Sequence, residues 1–154
     1  MTEEALERVV SLYMGRGVVE RIEGDAAATA KQWLAQAKGE LAGVKVLIEA
    51  GQYRMAYRAG FDVMRNAAEA VVTAAGCRVT SRPGHHEAVF AIANALDKGS
   101  TGAFSGARSS QARLKRGASQ YVDVGRADEV TKGDAETSYA WAAEAVEAAE
   151  GLLG

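Results

Sequence analysis

The chain has 154 residues, 48% hydrophobic and 25% charged, with a formal net charge of -2. That length suits one folded core, and the composition excludes a disordered chain. The near balance of charge excludes a general nucleic-acid coat while leaving room for a local basic site.

One proline, frequent alanine and few aromatics point to an all-α protein. The expected architecture is an up-and-down antiparallel four-helix bundle with an additional short helix, in one domain spanning residues 1–154. A short N-terminal helical segment would occupy 1–24 and the bundle 25–153. Cys77 is alone, so no intrachain disulfide can form, and the chain reads as cytoplasmic. Its start, Met1-Thr2-Glu3-Glu4, is acidic where a secretory signal would be basic. No apolar run approaches the roughly 20 residues needed to span a bilayer, so no membrane is expected.

From Thr2 to about Met14 the pattern is helical, with Leu6, Val9, Val10 and Tyr13 forming an apolar stripe. Gly15-Arg16-Gly17 interrupts it, and a second short turn is expected to run to Ile22. Asp25 opens a long helix whose buried row is Ala30, Trp33, Leu34, Ala37, Leu41, Val44 and Ile48. Gly51 is its expected stop, and the next helix begins near Gln52, giving an antiparallel hairpin with a very short connection.

That next helix carries two adjacent apolar rows. Tyr57, Phe61, Met64, Ala68, Val71 and Ala75 form one; Tyr53, Ala56, Gly60, Val63, Ala67 and Ala74 form the other. Such a wide apolar arc predicts a helix at the centre of the bundle, with partners on two sides. Its narrow polar face holds Arg54, Arg58, Asp62, Arg65, Asn66 and Glu69, and Gly76 closes it.

A fourth helix is expected to start at Thr80-Ser81-Arg82-Pro83, since proline is tolerated in a first turn. The loop Gly99 to Gly106 is rich in glycine but lacks the Gly-Lys-Ser/Thr ending of a phosphate-binding P-loop. A basic segment follows from Ala107 to about Val122. An acidic helix opens at Asp134, with Tyr139, Ala142, Val146, Ala149 and Leu153 on its buried row. Asp134, Glu136, Glu144, Glu147 and Glu150 form its outer face, with no lysine or arginine among them.

Charge and backbone freedom coincide in Arg113-Leu114-Lys115-Arg116-Gly117-Ala118-Ser119-Gln120-Tyr121. On a helical wheel Arg113 and Arg116 share one face, while Leu114, Ala118 and Tyr121 share another. The plain reading is a core tyrosine beneath a solvated basic face. The sharper one uses Gly117, which costs a helix roughly 1 kcal/mol against alanine. If the helix ends or bends there, Tyr121 turns towards Arg116 and forms a phosphate-binding corner.

Arg116-Gly-Ala-Ser-Gln-Tyr121 resembles the signature of the HEPN family (higher eukaryotes and prokaryotes nucleotide-binding domains): an arginine, four to six residues, then a histidine. Tyrosine stands here in the histidine's place, as in some HEPN branches, often after an arginine repeated three residues earlier, as Arg113 is. Ala56-Tyr57-Arg58-Ala59-Gly60-Phe61-Asp62, Asn66-Ala67-Ala68-Glu69-Ala70, Ala75-Gly76-Cys77-Arg78 and Arg82-Pro83-Gly84-His85-His86 follow in an order similar to the central hairpin of bacterial HEPN proteins. The resemblance covers roughly residues 25–153.

It implies a homodimer with a site where two subunits meet. Arg116 and Tyr121 would be its catalytic pair, and Arg113 and Arg116 would hold phosphate. Metal-free RNA cleavage needs a base, an acid and cations for the charge growing on phosphorus. Arginine grips phosphate oxygens in two places, and histidine titrates near neutrality. A phenol, with a pKa near 10, is ionised only about once in a thousand at neutral pH.

Tyr121 therefore points towards binding of RNA or nucleotide phosphate, with weak or absent metal-independent endoribonuclease activity. The setting implied is a toxin–antitoxin or defence protein. The alternatives are a non-catalytic partner of a nucleotidyltransferase or antitoxin, and a purely structural dimerisation bundle. His85 and His86 could supply an imidazole, but His85 shares its stripe with Val89 and Ile92, which favours a partly buried structural histidine. Arg58, Asp62 and Arg65 are expected to form an ion-paired face, the lesser alternative being that they line, with His85 and His86, the same groove as Arg116. No HExxH, paired CxxC or other metal-ligand spacing is present, so neither metal nor cofactor is expected.

Overall fold

The computed structural model describes residues 3–112 and 130–154. Arg113, Arg116 and Tyr121 lie outside the described residues. Among those described, the chain is predominantly helical: α1 (Glu3–Gly15), α2 (Ala26–Glu49), α3 (Tyr53–Ala74), α4 (His85–Leu96), a helical segment α5 at 106–112, and α6 (Lys132–Leu153). No helix among them is long and apolar enough to cross a membrane.

The Asp25 side chain accepts from the Ala28 N–H at 3.0 Å and starts α2, satisfying one donor that the first turn cannot. Gly51, at a φ of 75°, ends it, and the Gln52 N–H closes on the Leu47 carbonyl at 2.8 Å. The turn is short enough that α3 folds straight back along α2. At the other end of the chain, Thr131 and Asp134 form a reciprocal capping box for α6. That puts the helix start two residues before Asp134, the first residue expected from its pattern.

Helix α3 is central: α2, α6, α4 and a short strand all pack on it, as its two apolar rows predict. Phe61, Met64, Val63 and Val72 are fully buried along it. Gly60 marks its closest approach to α6. A Cβ there would lie 3.2 Å from the Cβ and 3.3 Å from the carbonyl carbon of Ser138, with the Ser138 hydroxyl nearer still. That hydroxyl donates to the Tyr57 carbonyl at 3.1 Å, tying the two helices together inside the core.

The sequence reading missed a two-stranded antiparallel sheet, β1 (Val19–Arg21) with β2 (Cys77–Val79), in register Val19↔Val79, Glu20↔Arg78 and Arg21↔Cys77. What was expected to be a helical turn running to Ile22 is instead this strand. Val19 and Cys77 are buried in it, as is Val18 just before it, and Glu20 and Arg78 form an ion pair across it. Three-residue strands are too short to display an alternating pattern. The Thr80 N–H extends the pairing to the Val18 carbonyl at 2.7 Å.

One further expectation needs correction. Helix α4 starts at His85, because Gly84 takes a left-handed φ of 93° that breaks the helical turn before it; Pro83 lies in the preceding turn. The glutamates of the outer face of α6 are exposed, and cations from outside the helix meet two of them. Arg108 pairs with Glu144 and lies 5.1 Å from the centre of the Trp141 ring, and Lys38 reaches Glu150 at 2.9 Å. These cations come from other elements, which the pattern of α6 by itself could not reveal.

Candidate functional site

A polar stripe runs down α3 at intervals of four, four, three, four and four: Arg54, Arg58, Asp62, Arg65, Glu69 and Thr73. This spacing keeps all six on one face of the helix. Its C-terminal half forms one wall of a cavity of about 780 Å³, to which Arg65, Glu69 and Thr73 contribute. Helix α2 adds Trp33, the strand pair adds Arg21 and Arg78, and the turn before α4 adds Thr80 and Ser81. His85, the first residue of α4, completes it. The volume lies within the range of small-molecule sites, roughly 300–1,000 Å³.

Glu69 is the most unusual group in the wall. It is only 5% exposed, yet it is a carboxylate at a cavity surface. Burial pushes its pKa up, and the Arg65 guanidinium partly opposes that shift. The two side chains are 3.7 Å apart, an ion pair too long to be a hydrogen bond. The Nε of Arg65 is itself buried without a hydrogen-bond partner among the described residues, as is the Nε of Arg58. An unsatisfied buried donor of this kind costs about 1–3 kcal/mol, while the Arg65 side chain, 34% exposed, keeps its charge accessible to a ligand.

The His85 Nδ1 lies 3.0 Å from the Arg82 carbonyl oxygen. A carbonyl can only accept, so Nδ1 carries a proton, and the tautomer this bond selects has its lone pair on Nε2. That bond fixes the tautomer and orients the imidazole.

Of the expected site residues, Arg65 and His85 come together at this cavity. Arg58 and Asp62 lie on the same face of α3, nearer its N-terminus and beyond the cavity lining. His86 has a different setting: its ring centre is 6.1 Å from that of Phe61 and 4.0 Å from that of His85, and it borders a small recess with Phe90 and Ser109. Arg113, Arg116 and Tyr121 are not among the described residues.

Sequence reasoning passed over Glu69, Arg78 and Trp33 as site residues. Glu69 did carry a signal, an acid four residues after Arg65 and flanked by alanines 67, 68 and 70. Arg78 and Trp33 carried none, because the cavity gathers them from separate elements. No protein-family model, curated protein or solved structure matches the chain.

Proposed function

We propose that this chain is a HEPN-like helical protein of the toxin–antitoxin or defence kind that holds the phosphate of a nucleotide or RNA, binding it without efficient cleavage. One observation supports this above all: α3 and α4 bring the Arg65 guanidinium and the His85 imidazole to the same cavity, and both groups suit phosphate. Arg21, Arg65 and Arg78 are balanced there by Glu20, Glu23 and Glu69. A long polyanion would favour a uniformly basic groove, so the balance favours a short ligand that combines an anion with hydrogen-bond donors.

Arg113, Arg116 and Tyr121 enter this reading through the family resemblance, which also implies a homodimer and, in some settings, a nucleotidyltransferase or antitoxin partner. Titration with a fluorescent mononucleotide and with a short labelled RNA tests it, alongside metal-free incubation of the same RNA. The expected result is salt-sensitive binding, weakened by Arg65→Ala and by Arg116→Ala, with the RNA left intact. Efficient metal-independent cutting would contradict the binding reading, and undiminished binding by Arg65→Ala would remove the cavity from it.

A second reading, weak cleavage with His85 as the base, is favoured by the Nδ1 bond that leaves Nε2 with its lone pair. Residual cleavage that disappears in His85→Ala would select it. A gain of cleavage in Tyr121→His would instead point to a disarmed site at residues 113–121.

A further inference from the structure

The cavity holds more than a phosphate requires. Phosphate recognition calls for cations and N–H or O–H donors, which Arg65, Arg78 and Ser81 supply. It does not call for a buried carboxylate. Glu69 is 5% exposed, and its neighbour Arg65 stands at 3.7 Å, beyond hydrogen-bond distance. A buried ionised acid is costly unless donors satisfy it, so its oxygens are placed to accept from a ligand. Trp33, half-buried, adds an aromatic wall to the same cavity.

We propose that the cavity is a mononucleotide site selective for guanine, in which Glu69 accepts hydrogen bonds from the N–H edge of the base. The chemistry follows from matching edges. Guanine presents two adjacent N–H donors, a ring imino group and the 2-amino group, and a carboxylate accepts both at once. Adenine presents a ring acceptor where guanine has its imino donor, and a carboxylate repels it. Hypoxanthine keeps the imino donor and lacks the amino group. Trp33 offers the base an apolar surface, and the arginines take the phosphate. The inference rests on the phosphate-binding reading of the same cavity, and adds the base to it.

Calorimetric titration of the full chain with GMP, IMP, AMP and inorganic phosphate tests it, using the parent and Glu69→Gln. The parent is expected to bind GMP roughly tenfold or more tighter than AMP, with IMP between them, the usual consequence of gaining or losing charge-assisted hydrogen bonds. Glu69→Gln should lose the preference for GMP and bind inorganic phosphate at least as tightly as the parent, because the carboxylate 3.7 Å from Arg65 competes with an anion for that cation. Equal binding of GMP and AMP by the parent overturns the guanine inference and leaves the phosphate reading standing. So does a Glu69→Gln protein that keeps the preference. Absence of binding by all four probes overturns both. The comparison among ligands uses the parent protein alone, so it decides the matter even if the variant fails to fold.

Discussion

Replacing Gly60 by alanine probes the crossing of α3 and α6, which holds the polar stripe of α3 in place. The added methyl would meet the Ser138 Cβ at 3.2 Å and its carbonyl carbon at 3.3 Å, and it would displace the Ser138 hydroxyl. That hydroxyl belongs to a residue only 3% exposed and donates to the Tyr57 carbonyl. Rotating it away loses a buried hydrogen bond, worth about 1 kcal/mol, and overpacking adds roughly 1–3 kcal/mol. Alanine returns about 1 kcal/mol through its better helix propensity, so the net loss should be about 2 kcal/mol.

Urea denaturation of Gly60→Ala, Ser138→Ala and the double variant measures both the loss and its origin. With the hydroxyl already removed, Gly60→Ala should cost less than about 1 kcal/mol, leaving a coupling of more than about 1 kcal/mol between the sites. If Gly60→Ala alone stabilises the protein, by the propensity gain, the close crossing is refuted.

Glu69→Gln should raise the melting temperature at pH 7, and the gain should shrink towards pH 4. Burial raises the folded-state pKa of Glu69, so the native protein holds this proton more tightly than the unfolded chain, and stability falls as pH rises through that window. An equal gain at both pH values would contradict the assignment. Asp97→Ala should cost about 2–3 kcal/mol in chemical denaturation, because the buried Asp97 carboxylate accepts from the Thr101 N–H at 3.1 Å and hydroxyl at 2.8 Å, shaping the loop that seats Phe104. A cost below about 0.5 kcal/mol would show the loop to be held otherwise. Cys77 is buried, and burial pushes its thiol pKa up, so native protein should resist thiol-reactive reagents that label the denatured chain quickly. Rapid labelling of native protein would contradict its burial.

The helices were legible because burial imposes a repeat on the sequence. The rows of α2 and α3 are long enough to fix which face each helix buries, and Gly51 marks the turn between them. The strands were not legible. Val19 to Arg21 and Cys77 to Val79 are stabilised by pairing across nearly sixty residues, and neither has local periodicity to display. The site divides in the same way. Arg65 could be placed on the polar face of α3 from spacing alone, and His85 at the start of α4 was visible as a candidate imidazole. Their meeting with Trp33 and Arg78 depends on how four elements pack, which no single stretch encodes.

Glu69 was visible on the same face as Arg65, but its depth was not. Its burial comes from neighbours that close around α3 from other parts of the chain. Arg113, Arg116 and Tyr121, the most conspicuous cluster in the sequence, belong to the proposal through resemblance and await the same binding measurements.

The most direct test of a nucleotide-holding cavity is a nuclear magnetic resonance titration of isotopically labelled protein with GMP, read at side-chain N–H groups. The account predicts saturable shifts at the Arg65 Nε–H and the Trp33 indole N–H, with the Trp141 indole, on α6 and outside the cavity lining, unmoved. Saturable binding that leaves Arg65 and Trp33 unshifted would place the ligand elsewhere and contradict it.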